Sequence, residues 1–350
     1  MVKLNKKLYN FTKHQVKDLL TYDVKDRMVY SKEHHLKLLL AASLVNGFAE
    51  GVSKSLNNSP TGETMLSYIK NQEQEKIQRM FDKLVEKNVK ILKRKRKLTT
   101  KVPIAIDWHD VMYYGDTKTP MVIGTQHKKG SNYAFEYLTA SVLVDGERLI
   151  VAVMPIGAKS EVSSLTTRLI HQIKKLGIRI RYITLDGGFF TIDVIRFLEE
   201  SCMNYILHMP STHKTKRMKL WEGRKFRYTT TDHKRKKSKQ ISFDVVVAYD
   251  EKKKYKYLLV TNMGYDADVL LKLFNKRWSI ETNYRMSNQF LIKTTSKQYV
   301  VRLFYYLFAC SIYNVWALYN ENEHIIVVRM KLILIAFIMT ELDRKERKIT

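Results

Sequence analysis

The hydrophobic pattern of the chain changes near residue 100. Before that point apolar residues recur three or four positions apart, for example at Ile77, Phe81 and Leu84, which is the spacing of an amphipathic helix. Beyond Lys101 apolar and polar residues alternate over several stretches, which is the period of a half-buried strand. The pattern therefore predicts a helical N-terminal region, residues 1–98, followed by a region rich in strands.

The alternating region predicts strands and helices in a defined order. Strands are predicted at residues 104–114, 133–144 and 149–155, a helix at 161–176, a strand at 178–186, a helix at 191–200 and a strand at 205–209. Strands joined by crossover helices in this way are typical of a mixed α/β sheet. The order matches that of a ribonuclease H-like core, and we expect residues 99–209 to form its first part.

Residues 210–262 interrupt that order. Basic residues dominate the first part of this segment, and two predicted strands, 241–249 and 255–261, close it. We interpret the segment as a basic, β-rich insertion. Residues 263–350 are then expected to complete the core with helices.

The net charge of the chain indicates which kind of molecule it binds. The chain has 62 Lys and Arg against 34 Asp and Glu, a formal charge of +28. Such an excess favours a polyanionic partner, of which nucleic acid is the commonest. A basic surface without a specific partner, as in a ribosome-associated or membrane-surface protein, fits less well because the basic residues cluster near candidate chemistry. The basic run at residues 90–97 fits equally a solvated hinge or a contact with phosphates.

The two cysteines and the apolar tracts indicate the compartment. Cys202 and Cys310 form neither a disulfide framework nor a zinc motif, and both are expected to be buried as small apolar residues in a reducing environment. The N-terminus has no apolar signal core. The apolar tract at 325–340 is interrupted by Arg329 and Lys331, so it is expected to be a core element rather than a membrane span. We expect a soluble, cytoplasmic protein associated with the nucleoid.

Three acidic residues suit a divalent-metal site. Asp107 lies in an apolar strand, Asp186 ends a second one before two glycines, and Glu281 is predicted in the middle of a helix. A carboxylate in an apolar strand costs several kcal/mol to desolvate unless a partner or a metal compensates it. Oxygen ligands from Asp and Glu suit Mg²⁺, and phosphodiester chemistry with two such ions needs carboxylates that converge from different elements. Alternatively, Asp186 caps the helix predicted to begin near Thr191.

Basic residues beside these carboxylates are candidates for binding DNA phosphates. Arg277 and Arg285 lie four positions before and after Glu281, so a continuous helix would place all three on one face. That face fits a salt-bridge ladder or a metal ligand between two phosphate contacts. Four consecutive residues of the insertion are further candidates: Lys234, Arg235, Lys236 and Lys237. Aromatic residues lie among the basic ones and fit either a subdomain core or a stacking surface for bases: Trp221, Phe226 and Tyr228.

These residues, in this order, resemble the signatures of DDE transposases of the insertion-sequence-four-like group. The spacing of Phe274, Arg277 and Glu281 is similar to the Tyr–Arg–Glu signature, and residues 186–189 are similar to the Asp-Arg-Gly-Phe motif. Residues 106–110, together with the later stretches 289–297 and 314–316, resemble in particular the related transposases first described in halophilic archaea. The resemblance extends over roughly residues 60–320.

The resemblance implies a ribonuclease H-like core in which Asp107, Asp186 and Glu281 bind Mg²⁺, with Mn²⁺ as a substitute. Such an enzyme nicks DNA at the ends of its element and joins the freed 3′-hydroxyl to target DNA, within a protein dimer that bridges two ends. Gly187, Phe274 and Asn288 stand where the group usually has Arg, Tyr and Lys, so phosphate positioning differs; Lys293 or Arg285 could supply it. Two alternatives are a non-catalytic DNA-binding protein derived from a transposase and a nuclease without strand transfer.

Overall fold

A computed structural model describes residues 2–23, 29–144, 147–158, 160–213, 215–232, 239–323 and 325–346. The chain forms two compact units. Unit 1 comprises Met1–Lys95, Val111–Phe135 and Thr282–Thr350, and unit 2 comprises Arg96–Asp110 and Glu136–Glu281. Each unit combines segments that are distant in sequence. The domain boundaries predicted at residues 98, 209 and 262 follow the chain instead, and they stay predictions.

The described residues form the following elements. The helices are α1 (Val2–Val16), α2 (Lys32–Leu44), α3 (Ala49–Ser53), α4 (Gly62–Lys70), α5 (Gln74–Arg94), α6 (Val162–Lys175), α7 (Ile192–Glu200), α8 (Ala267–Asn275), α9 (Ser279–Asn288), α10 (Tyr299–Glu323) and α11 (Val327–Glu346). Short 3-10 helices occur at Lys17–Leu19, Gly187–Phe189, Lys216–Leu220 and Lys276–Trp278. The strands are β1 (Val102–Met112), β2 (Val122–Lys128), β3 (Ser131–Val144), β4 (Glu147–Pro155), β5 (Ile180–Leu185), β6 (Tyr205–His208), β7 (Lys225–Asp232), β8 (Lys239–Asp250) and β9 (Tyr255–Thr261).

Helices build most of unit 1. α5 buries Ile77, Phe81 and Leu84, which confirms the helical spacing predicted for that stretch. α10 packs against α1, α4 and α5. Its segment Tyr299–Asn320 is long and apolar enough to cross a membrane by length and composition alone, but 89% of that window is buried inside the structure. A helix that is apolar on all sides and enclosed by other helices fits the centre of a folded unit.

Unit 2 is built on a mixed sheet. Its strands follow the order β3-β1-β5-β6-β9-β8-β7, with β4 paired to β3. β1 and β5 are parallel, as are β5 and β6, whereas β9, β8 and β7 continue the sheet in antiparallel pairs. α8 covers one face of this sheet, where Phe274 and Leu270 pack against Tyr182, Ile206 and Leu259. The three parallel strands therefore end beside the region that α8 covers.

Two strands of the structure, β2 and β7, were not predicted from the sequence. β2 pairs with the beginning of β3 in unit 1, and β7 pairs with β8 at the edge of the sheet. Most side chains of β2 are exposed or only partly buried, and β7 carries the polar sequence KFRYTTTD. An edge strand that buries little apolar surface has no need of alternating hydrophobic residues, so periodicity does not reveal it.

Two details differ from the sequence predictions. Cys202 is exposed, because it lies in the turn after α7 with a left-handed φ of 48°. Glu281 is not in the middle of a helix: α8 ends at Asn275, a 3-10 turn follows, and Glu281 is the third residue of α9. The tract at 325–340, by contrast, forms a packed element as predicted: it provides most of α11, which begins at Val327 and packs on α1 and α2.

Candidate active site

The two aspartates lie at the carboxyl ends of neighbouring parallel strands. β1 and β5 pair with Ala105 opposite Thr184. Continuing this register by two residues sets Asp107 opposite Asp186, whose backbone is still extended (φ −85°, ψ −177°). Neighbouring strands lie about 4.8 Å apart, and residues paired in register project from the same face. The fold therefore brings together two of the three predicted carboxylates.

The face that carries the aspartates is the one that α8 covers. Thr184 pairs with Ile206, and Ile206 packs with Phe274 of α8. Two residues further along the same register, His208, the last residue of β6, lies opposite Asp186. Asp107, Asp186 and His208 thus form a row across three strand ends, which we call the polar row. The ends of parallel strands are the usual place for functional side chains in open α/β sheets.

Asp107 is buried and paired with Arg277. Arg277 Nη1 donates to Asp107 Oδ2 over 2.8 Å, and the two side chains are only 9% and 10% exposed. Arg277 belongs to the 3-10 turn after α8, and this break in the helix directs it toward β1. A carboxylate buried to this extent needs a counter-charge, and the guanidinium supplies it. The sequence suggested a contact between Arg277 and phosphate but not this ion pair.

The Asp186 turn is organised by two glycines. Asp186 Oδ1 accepts a hydrogen bond from the Gly188 amide over 3.0 Å and caps the short helix Gly187–Phe189. Phe189 then stacks on Trp108 with ring centroids 4.8 Å apart. A Cβ on Gly188 would lie 3.0 Å from Trp108 Nε1 and 3.2 Å from Asp186 Oδ1. The turn therefore admits no larger residue at position 188 without displacing the carboxylate or the indole ring.

Asp186 does not cap the longer helix that follows. Thr191 occupies the N-cap of α7, where its side chain accepts a hydrogen bond from the Val194 amide. The alternative interpretation of Asp186 as the cap of that helix is therefore wrong. The Asp186 carboxylate, partly exposed at the strand end, caps only the short turn.

His208 is held in a basic, aromatic environment. Its ring contacts Tyr257 and Phe274, with centroids 5.4 Å and 6.2 Å away. Burial, followed by the positive charges of Arg277 and Lys219, lowers the pKa of His208 from 6.5 to about 4. The imidazole is therefore neutral near pH 7. No sequence motif pointed to this residue, although its position at the end of a predicted strand could have done so.

For the third carboxylate, Glu281, the structure describes the helix that carries it but not its side chain. Glu281 follows Arg277 by four residues and lies in the first turn of α9. Among the side chains that are described, no group of three or more His, Cys, Asp or Glu is arranged to hold a metal ion. The assignment of Asp107, Asp186 and Glu281 as a metal site thus stays a prediction, of which the structure describes two members.

Comparisons with known proteins identify the family. The sequence profile of the transposase DDE domain matches residues 98–314, more than half of the 350 residues. The chain belongs to the transposase DDE domain family. The matched range contains the whole polar row and Glu281. A search of curated protein sequences finds no match.

A solved transposase shares the fold of this DDE-domain chain. The structure titled "Cryo-EM structure of piggyBac transposase synaptic complex with hairpin DNA" aligns with a TM-score of 0.58 over 98% of this chain and 79% of that chain, at 13% identity. At this identity the likeness concerns the fold. The mixed sheet with its helices is thus the ribonuclease H-like fold of DDE transposases, as the strand order predicted.

The predicted DNA-binding residues of this transposase-family chain fall into three groups. Arg277 is buried in its ion pair with Asp107. Arg285 on α9 and Lys293 after it are exposed in unit 1, and the Lys293 amide donates to the Gly47 carbonyl oxygen. The remaining four, at residues 234–237, lie outside the described residues. Exposure leaves Arg285 and Lys293 able to contact a phosphate.

The aromatic residues of the insertion divide between core and surface. Tyr228 contacts the buried Phe243, with centroids 5.6 Å apart. Phe226 packs edge-on against Trp221 at 5.1 Å, and Trp221 keeps 48% of its surface exposed. Tyr228 therefore fits a subdomain core, whereas the exposed ring of Trp221 is accessible for stacking on a base.

Proposed function

We propose that this chain is the DNA transposase of an insertion sequence, which binds the ends of its element and catalyses metal-dependent strand cleavage and strand transfer. The observation that carries the proposal is the register that sets Asp107 opposite Asp186 at the ends of adjacent parallel strands. The match to the transposase DDE domain supports it, because it spans both residues and Glu281.

The donor set fits hard divalent cations. Asp107 and Asp186 offer carboxylate oxygens, and the described surroundings contribute no cysteine. Such a set favours Mg²⁺, with Mn²⁺ as a substitute, over zinc. Asp107, Asp186 and Glu281 would hold the ions. When bound, these ions activate the attacking oxygen and stabilise the leaving one.

The chain's own residues have distinct tasks in this reaction. Asp186 is oriented by the Gly188 amide, so its carboxylate is fixed before a ligand arrives. Arg277 neutralises Asp107, which allows a buried carboxylate to persist without a metal ion. The packing of Phe189 on Trp108 braces both strand ends, because Trp108 follows Asp107 directly.

DNA is the proposed partner. The charge of +28 supplies the attraction to phosphates that dominates DNA affinity. The similar structure is a transposase in a complex with hairpin DNA. We assign Arg285, Lys293 and the basic run 234–237 to contacts with the element ends or the target, and we expect two copies of the chain to bridge the two ends.

The test is a cleavage assay on supercoiled plasmid carrying the cognate element ends, with Mg²⁺ or Mn²⁺. We expect the wild type to nick and then join DNA, and Glu281→Gln to bind DNA without cutting it. Nicking without joined products would identify a nuclease that lacks strand transfer. Equal binding by both proteins, with no cleavage under either metal, would indicate a non-catalytic DNA-binding protein.

A further inference from the structure

We infer that His208 is a substrate-contacting residue of this site, whose imidazole N–H donates to a phosphate oxygen of the bound DNA. The inference rests on the proposed function, since it assigns a further residue of the same site. The pairing of β5 with β6 indicates this histidine; it is not one of the acidic or basic residues proposed from the sequence as site residues.

The first argument is position. Leu185 pairs with Leu207 in the parallel register of β5 and β6, so His208 follows Leu207 as Asp186 follows Leu185. The polar row thus continues from the two aspartates to the histidine, on the face that α8 covers. Asp107 and Asp186 are the proposed ligands for ions that bind the reacting phosphate. A side chain one strand further along the row is placed to reach the same or the next phosphate.

The second argument is how the ring is held. Tyr257 and Phe274 contact the imidazole from the sheet and from α8, which restricts its rotation. A Cβ at position 187 would lie 3.1 Å from Pro210 Cγ and 3.4 Å from His208 Nδ1. The glycine therefore lets the Asp186 turn approach the imidazole closely. His208 nevertheless stays partly exposed, unlike the fully buried Leu207 before it.

The third argument is charge. Arg277 and Lys219 act electrostatically on His208, so both cations favour an anion beside the ring, and the metal ions proposed at Asp107 and Asp186 would offset the negative charge of those carboxylates. A neutral imidazole always carries one N–H donor, and phosphate oxygens are acceptors. A donor held in place against a developing negative charge contributes about a hundredfold to a rate.

The test separates the donor from the packing of the ring. His208→Phe keeps an aromatic ring against Tyr257 and Phe274 but removes the N–H, whereas His208→Gln keeps a donor. His171→Phe is a control for the same substitution outside the site, because His171 on α6 is exposed and contacts an aromatic ring, Phe197 at 6.1 Å. Each variant is assayed for single-turnover cleavage of element-end DNA, for DNA affinity, and for the rise in melting temperature that Ca²⁺ or Mn²⁺ produces.

We expect His208→Phe to cleave roughly a hundredfold more slowly, with an unchanged melting temperature and an unchanged metal-induced rise. His208→Gln should recover part of the rate, and His171→Phe should match the wild type. Wild-type cleavage by His208→Phe would overturn the inference. Loss of the metal-induced rise would overturn it too, since His208 would then be a metal ligand. If wild type and Asp186→Asn are equally inactive, the proposed function fails, and the inference fails with it.

Discussion

The ion pair between Asp107 and Arg277 makes the most quantitative prediction. Both side chains are about one-tenth exposed and their charged atoms lie 2.8 Å apart. Arg277→Met removes the guanidinium that pairs with the buried Asp107 carboxylate. Breaking a buried pair from one side typically costs about 3–5 kcal/mol. We expect the lower end, about 3 kcal/mol, because the Trp108 amide still donates to Asp107 Oδ1 and water can enter at the strand end.

Urea denaturation in EDTA, followed by circular dichroism, measures this loss. The control is Arg196→Met, because Arg196 pairs with Asp193 at 3.4 Å while the two side chains remain 22% and 38% exposed. Partly exposed pairs contribute about 0–1 kcal/mol, so the control should lose no more than that. Both arginines are in unit 2, and the comparison therefore isolates the effect of burial.

A divalent ion should reverse much of the effect. If Asp107 is a metal ligand, a bound cation replaces the missing guanidinium, and Mg²⁺ at a hundred times its Kd stabilises by about 2.7 kcal/mol. We expect this stabilisation in Arg277→Met and less of it in the wild type, where Arg277 competes for the carboxylate. A double-mutant cycle with Asp107→Asn completes the assay. Additivity of the two substitutions within about 0.5 kcal/mol would refute the ion pair and the reasoning built on it.

Three other predictions follow from local geometry. Burial lowers the pKa of His208 from 6.5 to about 4 in the folded protein, so between these two pH values the unfolded chain binds more protons at this residue than the folded protein does. The free energy of unfolding should therefore rise with pH between about 4 and 6.5 and level off above that range. Denaturation curves of His208→Phe should show a shallower rise. Gly188→Ala should slow cleavage about tenfold while largely preserving DNA affinity, because its Cβ would lie 3.2 Å from Asp186 Oδ1; equal single-turnover rates would contradict this. Asn46 donates to the carbonyl oxygens of Asn288 and Leu291 from a left-handed φ of 52°, so Asn46→Ala should cost about 2 kcal/mol in a urea titration, and a loss below about 0.5 kcal/mol would argue against these bonds.

The parts of the fold that bury apolar surface could be predicted from the sequence. The strand predicted at 255–261 coincides with β9, and the helix predicted at 161–176 coincides with α6 to within one residue at each end. α6 buries Leu165, Leu169 and Ile173 at helical spacing, whereas β9 is a short apolar run in which residues 257–261 are all buried. β7 carries few apolar residues, since an edge strand is stabilised mainly by hydrogen bonds to its neighbour. Its pairing with β8 is a long-range property that periodicity does not encode.

The two aspartates of the candidate site could be predicted from the sequence, but the residues that lie beside them could not. Asp107 and Asp186 stand out because an acidic residue in an apolar strand needs a reason to be there. The partnership of Asp107 with Arg277 depends on a 3-10 turn that ends α8, and no glycine or proline marks that turn in the sequence. His208 ends a strand that was predicted, but its position beside Asp186 follows only from the pairing of β5 with β6.

Replacement of Asp186 by cysteine tests the central claim most directly. Mg²⁺ is a hard ion that binds oxygen and disfavours thiolate, whereas Mn²⁺ is softer and accepts sulfur more readily. Single-turnover cleavage of element-end DNA is measured with each metal, with Asp110→Cys as the control at a neighbouring strand position. If Asp186 is a metal ligand, Asp186→Cys is inactive in Mg²⁺ and regains measurable cleavage in Mn²⁺, while the control behaves like the wild type. Equal cleavage by wild type and Asp186→Cys in Mg²⁺ would contradict the account.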